Sequence, residues 1–140
     1  MKNIEIIPHI ISVLNNRYNE YIKSVIKDNS IEGVVPNHGP LLRVIIDTSD
    51  GIAVTELSQR VNRPKPTVTE MLNKLERLGH IERVSVETDK RMVYVKATET
   101  GRKVDEILFR AVGSFLEDML CDFSGEEKEK LWKLLIKAYR

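Results

Sequence analysis

The sequence predicts a mainly α chain carrying one small β-hairpin. Three observations predict it. Apolar residues recur at helical spacing in the stretches 7–25, 66–78 and 104–120. Between residues 84 and 97 the period drops to two, with Val84, Val86, Val93, Val95 and Ala97 alternating with polar neighbours. Glycine, proline and side chains suited to helix capping punctuate the junctions between these stretches.

The elements follow in order. Ile7, Ile11, Leu14, Tyr18, Tyr21 and Val25 step by four and three, a heptad-like seam on a long first helix. Gly, Ser, Asn and Pro between Asp28 and Gly39 stop that helix and turn the chain. Pro40 suits the first turn of a second helix, where its missing N–H costs nothing. That helix is expected to bury Leu41, Leu42, Val44, Ile45 and Ile46 and to end near Ser49-Asp50-Gly51.

Ile52-Ala53-Val54 reads as a short strand. Thr55 is expected to cap a brief helix reaching about Val61, with Leu57 and Val61 inward. Asn62-Arg63-Pro64 breaks it. Pro66 opens the next helix, which runs to Gly79 and turns Val68, Met71, Leu72, Leu75 and Leu78 inward. The hairpin follows, with Glu87-Thr88-Asp89-Lys90-Arg91 as its polar tip. Thr98 can cap a long helix bearing Val104, Ile107, Leu108, Ala111, Phe115, Leu116, Met119 and Leu120. Ser124 with Glu127 matches a capping box and opens a last helix containing Leu131, Trp132, Leu135 and Tyr139.

Composition bounds the function. The 140 residues are 41% hydrophobic and 31% charged, which predicts one packed domain rather than disorder. No apolar run approaches the roughly 18–20 residues of a membrane span, and no membrane partner is expected. Pro8, His9 and Ser12 break the apolar stretch near the start, so it does not read as a signal peptide. The single cysteine, Cys121, has no internal partner, and a reducing cytoplasm is the expected location. It sits among Met119, Leu120 and Phe123, where a buried, unreactive thiol is expected. His9, His38 and His80 lack metal-ligand spacing, and no catalytic set or glycine-rich phosphate loop is present. Neither a cofactor, a metal nor an enzymatic activity is expected. Charge is uneven: residues 54–103 carry 11 Lys/Arg against 7 Asp/Glu, whereas the remainder is acidic by three. A basic middle between acidic arms suits a polyanion.

Helix, tight turn, helix and β-hairpin over residues 54–97 is the order of a winged helix-turn-helix. Its second helix enters the DNA major groove. Candidate DNA contacts are Arg63 in the turn and Lys65, Thr67, Thr69, Asn73, Lys74 and Arg77 on the helix. The positive helix end favours phosphate near Thr67 and Thr69, and Asn73 could read adenine. Taken singly, each is also an ordinary residue for the solvent face of an amphipathic helix. Glu70 repels phosphate and suits orientation or specificity rather than affinity. At the hairpin, Lys90 and Arg91 are candidates for the minor groove, with Asp89 aiming a neighbouring guanidinium of Arg83 or Arg91. Tyr18, His38 and Arg43 are candidates for a small-molecule pocket. Tyr18 also belongs to the core seam, and His38 also suits a loop role.

The residues Leu75-Glu76, Gly79, Ile81 and Arg83, then Asp89-Lys90-Arg91, then Thr98-Glu99-Thr100-Gly101, resemble the MarR family of bacterial regulators. Val54-Thr55-Glu56-Leu57-Ser58 and Thr67-Val68-Thr69 add to the resemblance. It implies a homodimer whose first and last two helices interlock and whose winged lobes straddle a palindromic operator. Many members are repressors released by small ligands, cysteine oxidation or metal. Arg91 falls on the family's wing arginine and Asp89 on the acid supporting it. Pro64 and Pro66 depart from the small polar residues usual there, and Ala97 stands where leucine is usual. The expected organisation is one domain over 1–140. A DNA-binding lobe spans 54–101, and a helical dimerisation region spans 4–27 and 102–140. The expected function is a DNA-binding transcription regulator, with double-stranded DNA, a second copy and a small-molecule effector as partners. The alternative is a winged-helix module that binds another protein instead of DNA.

Overall fold

A computed structural model of the protein describes residues 3–86 and 89–140, apart from the side chains of residues 86 and 89–91. It has six helices and one three-stranded sheet among these residues. The order is α1 (Ile7–Asp28), α2 (His38–Asp47), β1 (Ile52–Ala53), α3 (Val54–Arg60), α4 (Lys65–Arg77), β2 (Ile81–Val86), β3 (Asp89–Ala97), α5 (Glu99–Met119) and α6 (Gly125–Tyr139). The sheet order is β1-β3-β2, antiparallel throughout.

The core lies where α2, α3, α4 and the sheet meet α1 and α5. Leu41, Leu42 and Ile45 of α2, Leu57 of α3, and Val68, Leu72 and Leu75 of α4 are buried together with Ile52, Ile81 and Val95 of the sheet. Ile22 and Ile26 of α1 and Val104, Leu108 and Ala111 of α5 close it. No helix among the described residues is long and apolar enough to cross a membrane.

Capping explains several boundaries. The Thr98 hydroxyl accepts from the Gly101 N–H at 3.1 Å and donates to the Gly79 carbonyl at 2.6 Å, which ties the start of α5 to the end of α4. Ser124 and Glu127 form the complete capping box at α6. Gly79 ends α4 with φ +79°, a conformation only glycine adopts without strain.

Three expectations need correction, and the last helix shows what the single chain leaves exposed. Thr55 does not cap α3: the helix already starts at Val54, with extended Ala53 before it and no side-chain cap. The α1 seam is only half-buried at Leu14, Tyr18, Tyr21 and Val25 and is exposed at Ile7 and Ile11. The fully buried α1 positions are Ile22 and Ile26, one residue further round. No residue of α6 is buried, including Leu131, Trp132, Leu135 and Tyr139. Cys121 is exposed, in the turn after α5.

Candidate nucleic-acid interface

The turn between α3 and α4 is built by local chemistry. Asn62 takes φ +51°, which asparagine tolerates, and the Arg63 N–H donates to the Ser58 carbonyl at 3.1 Å. Extended Pro64 then leads into α4, and Pro66 sits in its first turn. The first turn of α4 holds no acidic residue, and Lys74 and Arg77 lie in the last. No acidic side chain of that first turn therefore opposes an anion at the helix N-terminus.

With Val68, Leu72 and Leu75 inward, helical spacing puts Pro66, Glu70, Asn73 and Arg77 on the opposite face, and all four are exposed. Thr67 is exposed on one flank. Lys65 and Thr69 lie on the other, where they join Val54, Thr55, Arg83, Met92 and Val93 around a groove of about 390 Å³ between α4 and the hairpin. Arg63 is exposed beside the turn, and its guanidinium donates to the Asn37 side-chain oxygen at 3.4 Å. Lys74 differs from its expected place. It is half-buried and close enough to His38 to depress that imidazole's pKa.

Arg83 is tied to α4. Its guanidinium pairs with Glu76 and donates to the Asn73 side-chain oxygen at 2.8 Å. Asp89, expected to aim Arg83 or Arg91, has its side chain outside the described residues, as do Lys90 and Arg91. Glu87 and Thr88 lie outside them altogether. The backbone register narrows the tip: Val86 pairs with Asp89 and Ser85 with Val93. Lys90, Arg91 and Met92 are thus an insertion in β3 with no counterpart on β2. Such bulges bend and re-aim a strand.

A second concavity, of about 240 Å³, lies between α1, α2 and α5. Tyr18, Pro40, Arg43, Asp105 and Phe109 line it. Arg43 donates to Asp105 at 2.8 Å and to Asp47 at 2.8 Å, and its guanidinium sits over the Phe109 ring, 4.9 Å from the centroid. Burial pushes the Asp105 carboxyl above its usual range; Arg43 pulls it back and Asp47 pushes it up again. Burial likewise raises the Tyr18 phenol. Tyr18 packs edge-on against Phe115, with centroids 5.4 Å apart.

Tyr18 and Arg43 are therefore brought together as expected, but His38 is not with them. It is buried, and its Nδ1 accepts the Val35 N–H at 3.0 Å, a loop-holding role. Its pKa falls to about 4, through burial first and then the charges of Lys74 and His80. Sequence reading missed Asp105 and Phe109. Asp105 carried a signal, because it interrupts the apolar face formed by Val104, Leu108 and Ala111. Among the described residues, no group of three or more His, Cys, Asp and Glu could hold a metal.

Known proteins agree with this architecture. A sequence profile described as MarR family matches residues 32–92. The HTH-type transcriptional regulator YdgJ of Bacillus subtilis (strain 168) is 28% identical over 112 residues, covering 80% of this chain and 68% of its own. The S. aureus MepR–DNA complex superposes with a TM-score of 0.83 at 19% identity, covering 95% of this chain and 96% of that one. Streptococcus pneumoniae FabT in complex with DNA gives a TM-score of 0.75 at 25% identity, covering 98% and 94%.

Proposed function

We propose that the chain, whose sequence and fold resemble the MarR family of transcription regulators, is a cytoplasmic, homodimeric DNA-binding repressor of a palindromic operator, released by a small ligand. The observation that carries this reading is the exposed outer face of α4 standing beside the grooved flank of the hairpin. A helix and an adjoining wing displayed together fit one major groove and the minor groove next to it.

The whole of 1–140 acts as one domain in this reading. Residues 54–101 are the DNA-binding lobe, and 4–27 with 102–140 dimerise. Arg63, Lys65, Thr67, Asn73 and Arg77 contact DNA from the turn and the recognition helix. Thr69 and Arg83 line the groove behind them, and Lys90 and Arg91 act from the wing. Half-buried Lys74 contributes charge rather than a base contact. The Arg43 cavity suits the effector: an apolar floor, an aromatic wall and one guanidinium accept a flat organic anion. That anion must compete with Asp105 for Arg43, and by rearranging the α1, α2 and α5 junction it changes the spacing of the two lobes.

The test is fluorescence anisotropy of the full-length chain on duplexes enriched from a randomised library, at several salt concentrations. Affinity should fall steeply with salt, because phosphate neutralisation releases counterions. If the chain enriches no duplex and shows no salt-dependent binding, it is a protein-interaction module and the reading fails.

A further inference from the structure

Asn73 is on the outward face of α4, yet its amide is not free. The only chemistry an arginine can offer is donation, since the guanidinium has five N–H groups and no acceptor. The 2.8 Å contact from Arg83 Nη2 therefore fixes which way the Asn73 amide faces: Oδ1 toward the arginine, Nδ2 away from it. Arg83 is itself held by Glu76, one helical turn along α4, so the three side chains form a bridge from the recognition helix to β2.

The consequence is a change in what Asn73 can read. An asparagine reads adenine by accepting from N6 and donating to N7 at once. With one Oδ1 lone pair taken by a guanidinium, adenine's N6 amino group would have to approach the remaining one against the neighbouring positive charge. The outward Nδ2 group has only protons to offer. Guanine presents two acceptors, N7 and O6, on its major-groove edge, whereas cytosine presents a donor. We propose that Asn73 reads guanine in the operator, and that Arg83 is the positioning residue that makes it do so by holding the amide oxygen away from the base. This rests on the DNA-binding reading above and adds a base identity to it. Asn73 stands beside Glu70 and Arg77 on the same exposed face of α4.

The experiment selects binding sites from a randomised duplex library with the full-length wild type, Asn73→Asp and Arg83→Met. Thermal melts of all three give the folding control. Asn73→Asp keeps an acceptor for Arg83, so the bridge and the fold persist, but it removes every donor. The wild-type motif should contain one guanine per half-site whose enrichment drops about tenfold or more in Asn73→Asp. In Arg83→Met the freed oxygen can accept, and adenine should rise at that same position. An Asn73→Asp motif identical to wild type would show that Asn73 only braces the wing, and the proposal would be wrong. So would a wild-type adenine at the position that Asn73→Asp loses. Failure of the wild type to enrich any motif would take down the DNA-binding reading and this proposal together. A clear motif that is insensitive to Asn73 takes down this proposal alone.

Discussion

At the scale of the residue, two buried positions, His38 and Gly101, each give a prediction. His38 accepts a backbone N–H through Nδ1, so protonating that nitrogen breaks the bond as well as placing a charge in the core. Its pKa is about 4 when folded against an ordinary 6.5. The unfolded chain thus binds the proton first. The stabilisation from neutral His38 is complete above pH 6.5 and is lost as pH falls through 4. His80 is lowered in the same direction by burial, and its Nδ1 has no partner among the described residues; Lys74 is a further charge acting on His38. Melting temperature should therefore fall between pH 6.5 and 4. His38→Gln, which keeps an acceptor, should flatten the fall while leaving the His80 share. An unchanged slope in His38→Gln would contradict this. Gly101 is the second position. A Cβ there would lie 1.9 Å from the His80 carbonyl oxygen, a rigid backbone atom. Gly101→Ala should destabilise the chain by at least about 2 kcal/mol, visible as a melting temperature several degrees lower. A wild-type melt would mean that the start of α5 can shift away from β2.

At the scale of the element, what was legible in the sequence was whatever depends on neighbours along the chain. Thr98, Ser124 and Gly79 mark helix ends because capping is local chemistry, and the period of two marks β2 and β3 for the same reason. What was not legible depends on packing across the fold. Ile22 and Ile26 outrank the Ile7–Val25 seam because they face the shared core, whereas Tyr18 and Tyr21 stand at its edge against Phe115. Arg83 finds Glu76 and Asn73 because β2 runs beside α4, a pairing no spacing announces. His38 read as either a pocket or a loop residue, and its bond from the Val35 N–H puts it in the loop role. The wing is where local and distant cues meet, since the inserted Lys90, Arg91 and Met92 have no partner on β2. Arg91→Ala should weaken binding to an enriched duplex by about 1–3 kcal/mol per half-site and make its salt dependence shallower, with folding unchanged. Arg110 supplies the control, because it is exposed on α5 and paired with Glu106, far from the α4 face. If Arg110→Ala weakens binding as much as Arg91→Ala does, the effect is net charge and not a wing contact.

At the scale of the whole molecule, the single chain leaves both of its ends unfinished. Helix α6 has no buried residue although it carries Trp132 at 63% exposure, Leu135 at 52% and Tyr139 at 63%. At the other end Ile4, Ile6, Ile7, Ile10 and Ile11 are all exposed. A helix of 15 residues is marginal in water by itself, because most helical stability in proteins comes from burying an apolar face. α6 therefore requires a surface that its own chain does not provide. A second copy offers one, since each would bring the same two apolar ends, and a twofold axis lets them cover each other. Obligate interfaces of this kind bury roughly 2,000 Å² or more and resemble a core cut in half. The expected outcome is a dimer by light scattering of the full-length chain at every concentration at which it stays folded, with no folded monomer on dilution. Leu135→Glu should lower dimer stability more than Lys133→Glu, because Lys133 is exposed and paired with Glu129 on the polar face of the same helix. DNA affinity should fall with it, because two half-sites bound by one dimer become two separate, weak events. A monodisperse folded monomer at low micromolar concentration would show that these apolar ends are tolerated in water, and the dimer reading would be wrong.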